Sequence, residues 1–202
     1  MVDTEPLSRQ AWERVLALYD YAMDDAVYGR MIGLRSDESV QVMLDAYPLP
    51  LTAAETMRLK KAFFKERLTQ GIPIMPGLIE LHAAIARRGL PWAVATSSPR
   101  QHARHILAQI GLLESCQAIV GGDEVDNGKP NPAIYLLAAK RLGIPPQQCL
   151  ALEDSAPGCQ AAAQAGMTTI AIPNGVTETA VFPCAHHIFN SLHDVISILD
   201  SL

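Results

Sequence analysis

The feature that most constrains this chain is an alternation that sets in at Pro76. From there, short apolar runs alternate with helical segments, and Gly, Pro or a small hydroxyl residue marks each boundary. Pro76 to Arg88 reads as a helix stopped by Gly89. Trp92-Ala93-Val94-Ala95 follows without polar alternation, as suits a strand buried on both faces. Ser98 then caps a helix with Pro99 at its first position, and Gly111 ends it. Ala118-Ile119-Val120 predicts a second strand, and Asn131-Pro132 opens a helix that Gly143 stops. Cys149-Leu150-Ala151-Leu152 predicts a third strand, and Ser155 caps a helix ending at Gly166. Thr168 to Ile172 makes a fourth strand, and His187-Ile188 touches a fifth. Helix and strand in strict turn specify an α/β protein: a parallel sheet with helices on both faces.

Before Gly71 the pattern changes. Ala11, Trp12, Val15, Leu16, Leu18 and Tyr19 recur at helical spacing, as do Val40, Met43 and Leu44. Thr52 with Glu55 three residues later forms a capping box for a helix running through Met57, Leu59 and Phe63 to Leu68. Gly33, the Tyr47–Pro50 stretch and the Gly71–Pro76 stretch punctuate these segments, and no strand is predicted over 1–70. A small helical bundle is the expected unit, with Trp12, Tyr19 and Phe63 in its core.

Composition matters here for what it excludes. Apolar residues make up 49% of the chain and charged residues 18%, which rules out a disordered tail, a collagen-like repeat or a coiled coil. A net charge of −5, evenly spread, offers no basic face to a nucleic acid or an anionic membrane. Apolar stretches fall far short of the ~20 residues of a membrane span. Asp3 and Glu5 stand where a secretory signal would be basic and apolar, so a cytoplasmic location is expected. Cys116, Cys149, Cys159 and Cys184 are scattered without metal-ligand spacing and read as reduced thiols.

In open parallel sheets ligands bind beyond the carboxyl ends of the strands. Thr96-Ser97-Ser98 follows the first strand and offers hydroxyls and backbone N–H groups at a helix start. That is an anion cradle, or in Ser98 simply a cap. Lys129 follows the second strand on a tight Gly128-Lys129-Pro130 loop, as a fixed cation or as a solvated surface lysine. Glu153 and Asp154 follow the third. Adjacent carboxylates repel unless a hard divalent cation such as Mg²⁺ joins them, or unless one of them caps the next helix. Together the three loops supply donors, a cation and metal ligands, the equipment of phosphoryl transfer.

These stretches resemble the haloacid dehalogenase-like hydrolase superfamily, in its branch of helical-cap phosphatases and β-phosphoglucomutases. Val2-Asp3-Thr4-Glu5-Pro6-Leu7 with Ala11-Trp12 resembles the passage into the cap, and Pro76-Gly77 the return from it. Ala95-Thr96-Ser97-Ser98, Gly128-Lys129-Pro130 with Pro132, and Glu153-Asp154-Ser155 with Gly158 resemble the second, third and fourth motifs. The resemblance implies a Rossmann-like core of residues 1–4 and 76–202 with an α-helical cap inserted over 5–75. It further implies catalytic roles for Thr96 and Lys129, with the Ser97 amide and Ser98 on the substrate. Mg²⁺ would be held by Glu153 and Asp154. Ala133 departs from the Asp common in relatives. In the cap, Arg30 and Arg35 are candidates for reading a substrate's charged group; His102 and His105 read as surface residues.

A larger departure lies at the front. The family's first motif is a strand ending in Asp-x-Asp-Gly, whose first Asp is the nucleophile and whose second is the general acid/base. The sequence starts at Met1, after the place of both. The first central strand is therefore expected to be missing between Trp92–Ala95 and Cys149–Leu152, with the start about 10–15 residues late. The expected function is Mg²⁺-dependent hydrolysis of a small phosphorylated metabolite through an aspartyl phosphate, by a monomer or weak dimer. On this reading the chain as it stands is inactive or nearly so. The alternatives are a non-catalytic phosphate-binding or interaction protein and a β-phosphoglucomutase-like mutase.

Overall fold

The computed structural model describes residues 2–174, 177 and 181–199 and divides the chain into two compact units, Val2–Pro73 and Ile74–Leu202. Residues 2–4 cluster with the helices of the first unit. One reason is local: the Asp3 N–H donates to the Pro73 carbonyl at 3.0 Å, drawing together the two ends of the helical segment.

That unit holds α1 (Glu5–Ala17), α2 (Asp25–Gly29), α3 (Ser36–Ala46) and α4 (Ala53–Leu68). α1 and α3 both pack on α4. Their apolar stripes meet in a core of Ala11, Trp12, Val15, Leu16, Val40, Met43, Phe64 and Leu68. Phe64, rather than Phe63, is the buried aromatic of α4; Phe63 is half-buried and lies 4.1 Å from the Arg14 guanidinium. Tyr19 is likewise only half-buried. The Thr52 capping box forms as expected: Thr52 Oγ1 accepts from the Glu55 N–H at 3.3 Å, and Glu55 Oε2 accepts from the Thr52 N–H at 2.8 Å.

The second unit runs α5 (Leu78–Arg87), β1 (Ala93–Thr96), α6 (Arg100–Gln109), β2 (Ala118–Gly121), α7 (Ala133–Leu142), β3 (Leu150–Glu153), α8 (Ala156–Gln164), β4 (Thr168–Ala171), β5 (His187–Ile188) and α9 (Leu192–Ile198). All pairings are parallel. β1 pairs with β2 from Ala93↔Ala118 to Thr96↔Gly121, and β3 with β4 from Leu150↔Thr168 to Glu153↔Ala171. β5 extends the second group beside β4. One core contains Leu78, Leu81, Ile119, Ile170 and Val195, with Val94 and Leu152 against it. The other contains Val120, Ala138, Ala151 and Ala162, with Ala95 against it. Both cores thus draw on both strand groups, which form one layer between helices.

The layer has a seam. Among the described residues β1 pairs only with β2, and β3 only with β4 and not with β1. The expectation that the first strand would be buried on both faces needs correction accordingly. All four residues of β1 are only partly buried, whereas all four of β2 are buried. The two strands are similarly apolar, and among the described residues each pairs only with the other. Among the described residues, no helix is long and apolar enough to cross a membrane.

Two outcomes follow for stability. Lys60 on α4 stands over the faces of Phe64 and Trp12, at 4.6 and 5.8 Å, and burial pushes its ammonium down to about 8 against the pull of the Glu5 carboxylate. The unfolded chain therefore binds the extra proton between pH 8 and about 10.4, so Lys60 disfavours folding below that window and ceases to do so above it. Lys60→Met is expected to stabilise the helical unit by about 1–2 kcal/mol at pH 7, with the gain fading by pH 10.5 in thermal melts. Thr52→Ala removes the cap of α4 and is expected to cost about 1 kcal/mol in urea titration.

Candidate active site

The carboxyl ends of β1 and β3 carry the residues singled out by their spacing. The Lys129 side chain enters from the loop before α7, where the Lys129–Pro130 peptide is cis. Far from being a surface lysine, it is 8% exposed. Its Nζ donates to the Ala95 carbonyl at 3.2 Å and forms an ion pair with Glu153 Oε1. One ammonium thus joins the end of β1 to the end of β3, across the seam where no backbone bond does.

Glu153, also 8% exposed, sits in a full set of donors. Oε1 accepts from Lys129 and from the Tyr135 hydroxyl. Oε2 accepts from Ser155 Oγ at 3.1 Å and, more weakly, from the Asp154 N–H at 3.3 Å. Burial alone would raise this carboxyl, but the Lys129 charge and these hydrogen bonds outweigh it and hold the group below the usual carboxylate range. Ser155 serves twice, since its Oγ also accepts from the Gly158 N–H at 3.2 Å and so caps α8. A Cβ at position 158 would fall 2.0 Å from Glu153 Oε2, so only glycine lets the first turn of α8 approach the carboxylate so closely.

Asp154 is the opposite case. Burial, and then the charge of Glu153 beside it, raise its carboxyl. Its Oδ2 accepts from Asn174 Nδ2 at 3.2 Å. The Asn174 amide is held in that orientation because Thr177 Oγ1 donates to its Oδ1 at 3.2 Å. A carboxylate with few donors, next to a second negative charge, is the setting a hard cation relieves. Mg²⁺ is commonly held by one or two carboxylates with waters and phosphate oxygens, and this pair fits that donor set.

After β1 the chain passes through Thr96, Ser97 and Ser98. Here the expected cap is corrected. Pro99, not Ser98, is the N-cap of α6, and no side chain of its own caps the helix. Asp123 takes that part, accepting from the Arg100 N–H at 2.8 Å. Ser98 N–H instead donates to Thr96 Oγ1 at 3.2 Å, curling the loop, and the Ser98 carbonyl accepts from the Gly122 N–H at 3.0 Å. A Cβ on Gly122 would lie 2.4 Å from the Ser97 carbonyl, so the turn after β2 supports the loop through a glycine. With its oxygen accepting from Ser98, the Thr96 hydroxyl keeps its own proton to donate.

Of the remaining candidates, Arg35 lies in the helical unit at the N-cap of α3. Its guanidinium is 3.0 Å from Asp37 Oδ2 and 3.8 Å from Glu38 Oε1. Arg30, the C-cap of α2, is exposed. Sequence reasoning missed Tyr135 and Asn174. An aromatic at core spacing on α7 and an asparagine in a loop after a strand each have a plain structural reading. The signal available was their position, respectively six residues after the loop lysine and three after β4.

Comparison with known proteins identifies the family. A family model described as haloacid dehalogenase-like hydrolase matches residues 1–166. The phosphorylated carbohydrates phosphatase of Thermotoga maritima is 31% identical over 174 residues, covering 84% of this chain and 79% of its own. Fructose-1-phosphate phosphatase YqaB of Escherichia coli is 32% identical over 170 residues, covering 84% and 89%. The crystal structure of CbbY from Rhodobacter sphaeroides in complex with phosphate superposes with a TM-score of 0.88 at 30% identity, covering 96% of this chain and 91% of that one. The chain, an α/β protein, belongs to the haloacid dehalogenase-like hydrolases.

Proposed function

We propose that this hydrolase is a Mg²⁺-dependent phosphatase of small phosphomonoesters such as sugar phosphates or phosphoglycolate. The observation that carries the reading is the buried Lys129–Glu153 pair, which fixes one positive charge between Thr96 on one strand end and Asp154 on the other. The phosphatases of sugar phosphates among its relatives support the substrate class.

In this reading the Thr96 hydroxyl and the Ser97 amide donate to phosphoryl oxygens, with Ser98 holding the loop in place. The Lys129 ammonium balances the negative charge that gathers when a carboxylate nucleophile approaches a phosphate. Asp154, with Glu153 beside it, would hold Mg²⁺, which when bound neutralises phosphoryl charge as a Lewis acid. By the family's pattern the nucleophile and the general acid/base would belong on an Asp-x-Asp-Gly segment ahead of Asp3, on a strand between β1 and β3. Arg35 is the candidate in the helical unit for reading the rest of the substrate.

Two preparations test this. The 202-residue chain is expected to show no Mg²⁺-dependent hydrolysis of p-nitrophenyl phosphate. A chain extended by an apolar strand ending in Asp-x-Asp-Gly is expected to hydrolyse it. In the extended chain Lys129→Met and Asp154→Asn should each lower kcat about 100-fold or more. Turnover by the 202-residue chain that Asp154→Asn abolishes would overturn the assignment of the nucleophile. An extended chain that binds phosphate without turnover would replace the enzyme with a phosphate-binding protein.

A further inference from the structure

Tyr135 is a buried titratable group to which the proposed reaction gives no part. It lies on the first turn of α7, 7% exposed, in the core with Val120, Ala138, Ala151 and Ala161. A phenol this deep in an apolar core needs a partner for its hydroxyl, and it has an unusual one. The hydroxyl donates to Glu153 Oε1, the same oxygen that pairs with Lys129. The face of its ring lies 5.1 Å from Lys129 Nζ. One side chain therefore touches both members of the ion pair.

The two contacts do different things. A carboxylate oxygen has room for about two donors in good geometry. With one place on Oε1 filled by the tyrosine, Lys129 is confined to the other, on the side toward the Ala95 carbonyl. Ser155 and the Asp154 N–H hold Oε2 and stop the carboxylate from turning about its axis. The ring face, with its negative quadrupole, gives the ammonium a second favourable boundary without adding a formal charge. A lysine has four rotatable bonds and considerable rotamer freedom, so a single charge partner leaves its ammonium able to swing. With Glu153, the Ala95 carbonyl and the Tyr135 ring around it, the ammonium has one place to stand.

We propose that Tyr135 is a positioning residue. Through its hydroxyl on Glu153 and its ring beneath the ammonium, it sets where the Lys129 charge stands relative to a bound phosphoryl group. The functional part of this proposal rests on Lys129 being the phosphoryl-binding cation. The structural part does not.

The experiment uses the 202-residue chain. Binding of inorganic phosphate in the presence of Mg²⁺ is measured by calorimetry for the parent, Tyr135→Phe, Glu153→Gln and the double variant, and the crystal structure of Tyr135→Phe is determined. Phenylalanine keeps the ring and the packing, so the melting temperature is the control for a merely structural role. Tyr135→Phe should weaken phosphate binding about tenfold, the size of one hydrogen bond to a charged group. In the Glu153→Gln background the same change should have little further effect, because the hydroxyl acts through that carboxylate. In the crystal, Lys129 Nζ should leave the Ala95 carbonyl or take a second position. An unmoved lysine overturns the proposal whatever the binding data show. So does a loss of phosphate affinity that is equal in both backgrounds. A parent chain that does not bind phosphate, with a lysine that moves in Tyr135→Phe, removes Lys129 as the phosphoryl-binding cation of this chain and leaves the positioning role standing.

Discussion

The arrangement depends on one buried ion pair. Lys129 and Glu153 are each almost fully withdrawn from water, and removing charges from water costs several kcal/mol per ion unless the lost hydrogen bonds are replaced. Here they are replaced in detail. The ammonium has the Ala95 carbonyl and Glu153, and the carboxylate has Lys129, Tyr135, Ser155 and the Asp154 N–H. These partners come from the ends of β1 and β3, the loop before α7, α7 itself and the cap of α8. The parts of the fold that converge on the site are thus those that make a buried charge pair tolerable: Asp154 and Ser155 are near neighbours of Glu153 in sequence, while Lys129, Tyr135 and Ala95 come from other elements.

The same pair explains how two adjacent carboxylates come to differ. Glu153 is held ionised by a fixed cation and a full donor set, so its charge is a permanent part of the site. Asp154 feels that charge in addition to its own burial, and its carboxyl rises. Environments that push neighbouring groups apart in this way assign them different tasks. Glu153 secures the lysine, while Asp154 is left as the oxygen that gains most from an added cation. Asn174, offering an N–H rather than a carbonyl, favours the ionised form of Asp154 and so supports that role.

The helix–strand alternation was legible because each element carries its own punctuation. Gly143 in the left-handed region ends α7, Ser155 caps α8, and the Thr52–Glu55 box starts α4. What could not be read depends on partners distant in sequence. Ser98 and Pro99 have the residue types of a cap and first turn, yet the acceptor for α6 is Asp123 from beyond β2, and Pro99 moves out to the N-cap. Lys129 taken by itself is a surface lysine, and only the approach of Ala95 and Glu153 buries it. Tyr135 reads as core, which it is, and its hydroxyl gives no sign in the sequence of where it points. Arg35, which reads as a group for a substrate, has Asp37 and Glu38 close at hand at the start of α3.

The seam between β1 and β3 bears on the chemistry as well as on the fold. β1 is Ala-Val-Ala-Thr, about as apolar as the fully buried β2, yet all four of its residues are only partly buried. Lys129 offers one donor to one carbonyl at the top of that edge and leaves the backbone below it without a strand partner among the described residues. At the ends of the two strands the chain sets the Thr96 hydroxyl on one side and the Glu153 and Asp154 carboxylates on the other, and the Lys129 ammonium stands between them, bonded to the Ala95 carbonyl and paired with Glu153. The charge that holds the two strand groups together at the top of the seam is therefore the same charge that faces the candidate site. Asp3, whose N–H donates to the Pro73 carbonyl, is fixed within the helical unit.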